Sequence, residues 1–482
     1  MIAVYCANPR SRVRSGVKSA PAAAQAEHES ELFAMDRIYP RPVILGTDLT
    51  GLLVSIALAK AQIEHLLIGA PPDAQTLHHG ETTSMVAPWV LLRAFPELGH
   101  CLFEKKFGIV HAGKYAARLD FSHPSLWAVQ PLAKLVGGID RIYPLQIDRV
   151  ALDQALYEKA VLSPYCVDVQ VDVRAALKSI DYDRAADRVR RIALEDGSEI
   201  AVSHLFDASA QASVVAGRIG LVRTTIDDPY FFVQAYFQAD PSRPIAKQAW
   251  QDELNVVRLY RATDGIDAIA TLIPLGDRLS LRLSTALHQA EPGRDPNEPA
   301  ISAGALLELA QAALVRKGFA YEDLYPTRVA LADGIAAHYV TERAYGANWL
   351  LTGTAYANTL VTTAINADTA SEALHIGPGF IKNPTQVGAL YQHYMDYYRS
   401  MHACWRMLAG HDPASTTRAD METVLEQYLH ANAAQFTQAL RMQYWQNPLA
   451  VGLQVAVASM DSRNRPPQVA PFSSIREYHV VS

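Results

Sequence analysis

A short apolar run that ends on glycine and passes at once into a helix constrains this chain more than any other stretch. Val43-Ile44-Leu45 has the character of a buried parallel strand, and it stops at the first residue of Gly46-Thr47-Asp48-Leu49-Thr50-Gly51. Leu49 to Ala61 is rich in Leu, Ala, Ile and Val and lacks Pro, which predicts a helix packed on a sheet. His65-Leu66-Leu67-Ile68-Gly69 predicts a second strand, stopped by Pro71-Pro72. The strand, turn, helix, strand order has the length of a dinucleotide-binding βαβ unit. In such a unit a Gly-rich turn lets a pyrophosphate approach the backbone at the positive end of the helix. Gly46 and Gly51 supply the first and last glycines, but Asp48 replaces the middle one and adds bulk and, when ionised, negative charge. The second strand ends on Gly69 rather than on an acid for ribose hydroxyls, and Glu64 lies before that strand. Taken alone, the segment fits a βαβ unit with or without a nucleotide.

The chain has 482 residues, of which 50% are hydrophobic and 19% charged, enough to bury a large core. Two intimately joined units with an appendage are expected. A formal net charge of −6 gives no electrostatic footprint for nucleic acid. Cys6, Cys101, Cys166 and Cys404 are scattered without metal-ligand spacing, so reduced thiols and a cytoplasmic location are expected. The apolar stretch Leu52 to Ala59 is far shorter than the roughly 20 residues that cross a bilayer, so no transmembrane segment is expected. The Arg- and Ala-containing start, through residue 40, reads as a disordered extension.

Further along, Asp168 to Val173 and Arg188 to Leu194 alternate like strands, with a hairpin turn at Glu195-Asp196-Gly197-Ser198 and a last strand through His204-Leu205-Phe206 into Asp207. Phe231 to Phe237, Val256 to Tyr260, Ala268 to Pro274 and Leu279 to Ser284 predict strands of a separate sheet, antiparallel because the links are too short for crossover helices. Ser302 to Lys317 predicts a helix capped by Ser302. Trp349-Leu350-Leu351-Thr352 predicts another buried strand meeting Gly353, with a helix over Thr362 to Leu374. Helix formers dominate from Val387 to Leu408 and from Ala419 to Tyr444.

Several smaller patterns have two readings. Gly80-Glu81-Thr82-Thr83, followed by Pro88, could line a pocket or form a solvated loop with a helix-capping Thr. His78-His79 lacks the rest of a metal-ligand set and reads as loop. Tyr391, Tyr394 and Tyr398 share a helical face that could roof an aromatic substrate, or pack the helix on the body.

Taken in order, these elements resemble flavoprotein monooxygenases of the p-hydroxybenzoate hydroxylase type, and more closely their flavin-dependent halogenase branch. Gly80-Glu81 with Pro88 resembles that branch's Gly-Glu-Ser/Ala motif ending in Pro. Lys106-Phe107-Gly108-Ile109 and Arg118-Leu119-Asp120-Phe121 look like strands over the active site, and Arg149-Val150-Ala151-Leu152-Asp153 looks like the superfamily's Arg-containing helix start. Phe206-Asp207-Ala208-Ser209 resembles an Asp-Ala-Ser/Thr-Gly segment near the cofactor, with Ala210 in place of Gly. Gly353-Thr354-Ala355 resembles a Gly-Asp-Ala motif whose Asp contacts the ribityl chain, with Thr354 in place of that Asp. Thr362-Thr363-Ala364 falls where the family has a turn against the flavin ring, and Ile269 to Pro274 keeps Ile-Pro where halogenases carry Trp-x-Trp-x-Ile-Pro but lacks both tryptophans.

The resemblance implies an α/β fold. A Rossmann-like FAD-binding domain of glutathione reductase type would be assembled from 41–84, 140–225 and 330–375, with an inserted antiparallel substrate sheet from 85–139 and 226–329 and C-terminal helices over 376–482. It implies FAD held through degenerate motifs by Gly46, Thr47, Asp48, Gly51, Gly69, Gly80, Glu81, Arg149, Asp207, Gly353, Thr354, Thr362 and Thr363. Glu81 and Lys114 are the catalytic candidates, although no motif fixes Lys114, which reads better as a surface lysine. The implied activity is flavin-dependent oxidation of an aromatic or carrier-bound organic substrate, with a flavin reductase as partner. The alternative is a degenerate flavoprotein with weak or no FAD binding, serving as a binding partner or a non-redox catalyst.

Overall fold

The computed structural model describes residues 39–73, 81–82, 94–120, 145–225, 229–242, 253–287, 299, 301–358 and 376–395. Outside them lie nearly all of the expected N-terminal extension, His78, His79, Gly80, Thr83, Pro88, the helix over Thr362 to Leu374 with Thr362 and Thr363, and the chain beyond 395. The elements used below are β1 (Arg41–Leu45), α1 (Leu49–Lys60), β2 (His65–Ile68), β3 (Phe107–Ala112), β4 (Tyr115–Asp120), α2 (Arg149–Val161), β5 (Cys166–Val169), β6 (Leu177–Asp183), β7 (Arg188–Leu194), β8 (Glu199–Asp207), α3 (Val214–Ile219), β9 (Tyr230–Gln238), β10 (Glu253–Leu259), β11 (Ala268–Leu275), β12 (Arg278–Ala286), α4 (Ala303–Arg316), β13 (Thr327–Ala336), β14 (Trp349–Leu351) and α5 (Pro384–Met395).

The first sheet runs β5-β2-β1-β8-β7-β6, with β14 also paired to β8. Its β5-β2-β1-β8-β14 part is parallel, and the fully apolar Val43-Ile44-Leu45 and Leu66-Leu67-Ile68 are buried as a two-sided parallel sheet requires. β8 belongs to two arrangements at once. Its Leu205–Asp207 end lies parallel to β1 and β14, while Glu199–Ala201 pairs antiparallel with β7. The antiparallel ribbon therefore starts at Leu177, and the Val-rich stretch expected to open it instead supplies β5 beside β2. Asp172 causes the break: its side chain accepts the Arg174 amide and caps a short helical turn between the two strands.

Helix α1 is apolar around its whole circumference, and Leu49, Leu52, Leu53, Val54 and Leu58 are fully buried. A helix without a polar face needs cover on every side. It has the sheet on one side and α2 on another. Its entry depends on Gly46, whose φ of +111° belongs to glycine, and whose amide donates to the Ile68 carbonyl at 2.8 Å. A Cβ at Gly46 would lie 2.1 Å from the Ala208 carbonyl oxygen, and one at Gly51 would lie 2.2 Å from the Gly46 oxygen. The two glycines thus let helix, turn and neighbouring strand end cross at backbone contact.

The second sheet runs β13-β9-β12-β11-β10-β3-β4. Its strands pair antiparallel except β3 with β10, which are parallel because β3 arrives from a distant segment and not from a hairpin. The β-period puts Phe231, Val233, Ala235 and Phe237 on one face with Leu279, Leu281 and Leu283, and these bury against Leu306, Leu307, Ala310 and Leu314 of α4. The opposite face carries Gln234, Tyr236, Ser280, Arg282, Ser284 and Thr271. Among the described residues no helix is long and apolar enough to cross a membrane.

Gly46→Ala should lower stability by about 3 kcal/mol or more, because the left-handed φ and a backbone clash act together. Gly197→Ala, in an open hairpin turn at φ +87° with nothing within 4 Å, should cost only about 1 kcal/mol. Urea midpoints of the two variants check the contrast.

Candidate functional site

The parallel register sets Leu45, Asp207 and Leu351 side by side, so β1, β8 and β14 all end at one edge of the sheet. From β1 the chain continues to β2 and β5 on one side, while β8 and β14 lie on the other. The join between β1 and β8 is therefore the switch point of the topology, where open α/β sheets place their ligands outside the carboxyl ends of the strands. The turns beginning at Gly46, Ala208 and Gly353 converge there.

Asp207 organises the middle turn from within. One carboxylate oxygen accepts the Ser209 amide (3.0 Å) and hydroxyl (2.6 Å), and the other accepts the Val215 amide (2.8 Å). Burial raises its pKa, and those donors oppose the rise. Ala210, where the family resemblance expects glycine, keeps a glycine-like φ of +53°. The third turn is tied to the second: the Thr352 amide and hydroxyl both donate to the Asp207 carbonyl at 2.8 Å, and the Ser213 hydroxyl donates to the Ala355 carbonyl at 2.7 Å. The Tyr339 hydroxyl donates to the Thr354 carbonyl. The Gly353 amide donates to the hydroxyl of Tyr391 on α5 at 2.6 Å, so this tyrosine packs inward as part of the site's frame. The Thr354 hydroxyl is buried without a hydrogen-bond partner among the described residues.

The first turn is occupied by its own side chains. Asp48 is the N-cap of α1, and one carboxylate oxygen accepts the Gly51 amide at 3.0 Å. Its other oxygen is buried without a partner, although the residue as a whole keeps part of its surface in solvent. Burial pushes the Asp48 carboxyl up to about 7, against the pull of the Gly51 amide and of Arg149. Arg149, at the start of α2, is fixed by Asp153 one turn on, through a buried bidentate pair at 2.9 and 2.8 Å. The Thr47 hydroxyl donates to the Ala70 carbonyl, and Thr47 lies so close to Gly69 that a Cβ there would be 2.7 Å from its methyl.

Glu81 stands apart from these turns and against the polar face of the second sheet. Tyr236 and Ser280 donate to its two oxygens at 2.6 Å each, and the Arg282 guanidinium lies 3.7 Å from it. Gln234 donates to the Tyr236 hydroxyl at 2.9 Å, and Arg282 lies over the Phe232 ring. Burial and the Glu81 carboxylate together hold the Tyr236 phenol well above its ordinary pKa, so it stays a donor. The hydroxyls of Thr271 and Ser284, on the same face, are buried without partners. Lys114 is exposed in the β3–β4 turn. Among the described residues no group of His, Cys, Asp and Glu could hold a metal ion. A cavity of about 380 Å³ beside Asp187, Arg343 and Gln392 lies at the opposite end of β14, where Trp349 donates to Asp187.

Sequence reasoning singled out Glu81 but not its partners. Gln234, Tyr236, Ser280 and Arg282 announce themselves only as polar residues at every second position of otherwise apolar strands, a pattern that equally describes a solvent face.

No family model matches this chain, and no curated protein matches it. Solved structures do. A p-nitrophenol 4-monooxygenase from Pseudomonas putida is similar with a TM-score of 0.59 at 16% identity, covering 83% of this chain and 98% of that one. A probable FAD-dependent monooxygenase from Pseudomonas aeruginosa gives 0.57 at 12% identity, over 80% and 99% of the two chains. A flavin-dependent halogenase from Xanthomonas campestris gives 0.56 at 11% identity, over 83% and 96%. At such identities the likeness is one of fold, and the α/β architecture inferred from the glycine turns is the one these proteins share.

Two outcomes follow from the turn geometry. Ala210→Gly should stabilise the protein by about 1 kcal/mol by removing a left-handed alanine, read as a raised Tm. Because the Asp48 pKa is higher folded than unfolded, the folded state holds the extra proton between about pH 4 and 7 and stability falls as pH rises through that window. Asp48→Asn should therefore gain about 1 to 3 kcal/mol over the natural chain at pH 8, a gain that fades towards pH 4 in urea titrations.

Proposed function

We propose that this chain is a flavin-dependent oxidoreductase of the monooxygenase and halogenase kind, acting on an aromatic or carrier-bound organic substrate. The observation that carries the reading is the convergence of the Gly46, Ala208 and Gly353 turns at one sheet edge, at the topological switch point. Two of the three similar structures named above are FAD-dependent or flavin-dependent enzymes by description, and the third is described as a monooxygenase, which supports the same reading. In this proposal the FAD-type unit comprises 41–84, 140–225 and 330–375, and the substrate unit 85–139 and 226–329.

The residues fit the two halves of a flavin dinucleotide unequally. On the flavin half, the buried and unpartnered Thr354 hydroxyl offers a hydrogen bond to a ribityl chain, and Thr362 and Thr363 follow in sequence. On the dinucleotide half, the Gly46 and Gly51 cradle is kept, but the Asp48 carboxylate already caps the helix, and Gly69 offers no acid to a ribose. Gly80 and Arg149 complete the proposed cofactor set, with Asp207 bracing the turns from behind. Bound flavin would supply the oxygen chemistry, with electrons from a flavin reductase. The chain's own part is positional. Glu81, Tyr236, Ser280 and Arg282 tie the polar sheet face to the cofactor unit as a buried network.

Titrating riboflavin and FAD with the purified protein tests the proposal. Saturable quenching of flavin fluorescence, and oxygen uptake that depends on the protein when reduced flavin is supplied, are the expected results. A chain that quenches neither flavin would have to be read as a non-redox protein on this scaffold. Glu81→Ala should cost about 3 to 5 kcal/mol by leaving a buried guanidinium beside no carboxylate, whereas Glu81→Gln should cost less, as thermal unfolding would show.

A further inference from the structure

We propose that Asp48 decides which flavin this chain accepts: its carboxylate occupies the subsite a diphosphate would take, so the site discriminates against flavins with a diphosphate tail. The inference rests on the flavin reading given above and concerns a residue that departs from the expected glycine turn.

Geometry carries it in three steps. The N-terminal end of α1 lies at the switch point between β1 and β8, where a phosphate would meet free backbone amides. Here the Gly51 amide is already taken by the Asp48 side chain at 3.0 Å, so above about pH 7 the protein brings its own anion to the helix. A second oxygen of the same carboxylate is buried without a partner, and so is the hydroxyl of Thr50 in the first turn of the helix. Both atoms, at the cap and in the first turn of α1, keep hydrogen-bonding capacity that no described residue uses. The nearest cation, Arg149, is paired in bidentate fashion with Asp153. A diphosphate would therefore meet an acidic side chain before it met a positive one.

The adenosine side of the crevice is closed in a related way. Thr47 donates its hydroxyl to the Ala70 carbonyl and lies against Gly69, bridging the gap between the first turn and the end of β2. A ribose would have to pass between these groups. The flavin side differs, since the buried Thr354 hydroxyl has no partner among the described residues. Such a crevice favours a ligand that ends at the ribityl chain.

Binding of riboflavin, FAD and ADP to the natural chain, Asp48→Asn and Asp48→Gly tests the assignment by fluorescence quenching for the flavins and by calorimetry for ADP. Asn keeps an N-cap acceptor, so that variant keeps the fold testable even where Gly weakens α1. The natural chain should bind riboflavin at least as tightly as FAD and give no heat with ADP. Both variants should bind FAD at least about 30-fold more tightly than the natural chain, change riboflavin affinity less than about threefold, and gain ADP binding, a 30-fold change being about 2 kcal/mol. The assignment is overturned if the natural chain binds FAD about tenfold more tightly than riboflavin, or if neither variant gains affinity for FAD or ADP. Variants that gain ADP while no chain binds any flavin would uphold Asp48 as the excluding group and sink the flavin reading instead.

Discussion

The lateral hydrogen bonding of β8 holds the molecule's functional geometry together. Three residues of this strand, Leu205 to Asp207, are registered against β1 on one side and β14 on the other. A slip of one residue on either side would turn every neighbouring side chain to the opposite face. It would also carry the Gly46 or Gly353 turn out of line with Asp207. The buried Asp207 carboxylate and carbonyl then convert that register into fixed loops, since they hold Ser209, Val215 and Thr352. Segments more than 100 residues apart thus meet at one edge because a single strand pairs with both of their leading strands.

Much of this was legible in the amino-acid sequence. Apolar triplets ahead of glycine at 43–46 and 349–353 marked the strands, and four strand-like segments between 231 and 284 with short links marked the second, antiparallel sheet. The site was less legible, for reasons that differ from residue to residue. Glu81 stood out as a carboxylate in a short motif, but the Tyr236, Ser280 and Arg282 that surround it come from strands about 150 to 200 residues later. No periodicity of its own sequence reveals which face of a strand meets another unit. Tyr391 belonged to a visible aromatic stripe, yet only tertiary placement tells a roof over substrate from a hydroxyl that receives the Gly353 amide. The strand run at 168–173 was misplaced because Asp172, a capping residue, ends it early.

The residues that depart from the motifs expected by resemblance do not share one physical meaning. Ala210 keeps the backbone shape of the glycine it replaces and carries the strain. Thr354 exchanges a carboxylate for a hydroxyl and leaves that hydroxyl unsatisfied inside the protein. Asp48 does something else again: it inserts a charge and immediately uses it to cap a helix. A scaffold can thus depart from an expected motif through conformational tolerance, through an unpaired polar atom or through self-occupation. These three routes leave different traces in buried polar atoms.

The hydrogen bond from Gly353 to Tyr391 links α5 to the edge of the parallel sheet. With its amide engaged by a phenol, that turn has one fewer donor to present to anything entering alongside it. For a ligand bound as proposed, the distal helix would act as a rival. Any shift of α5 that withdraws the tyrosine would hand the amide back to the crevice, so the two are thermodynamically linked across nearly 40 positions of chain.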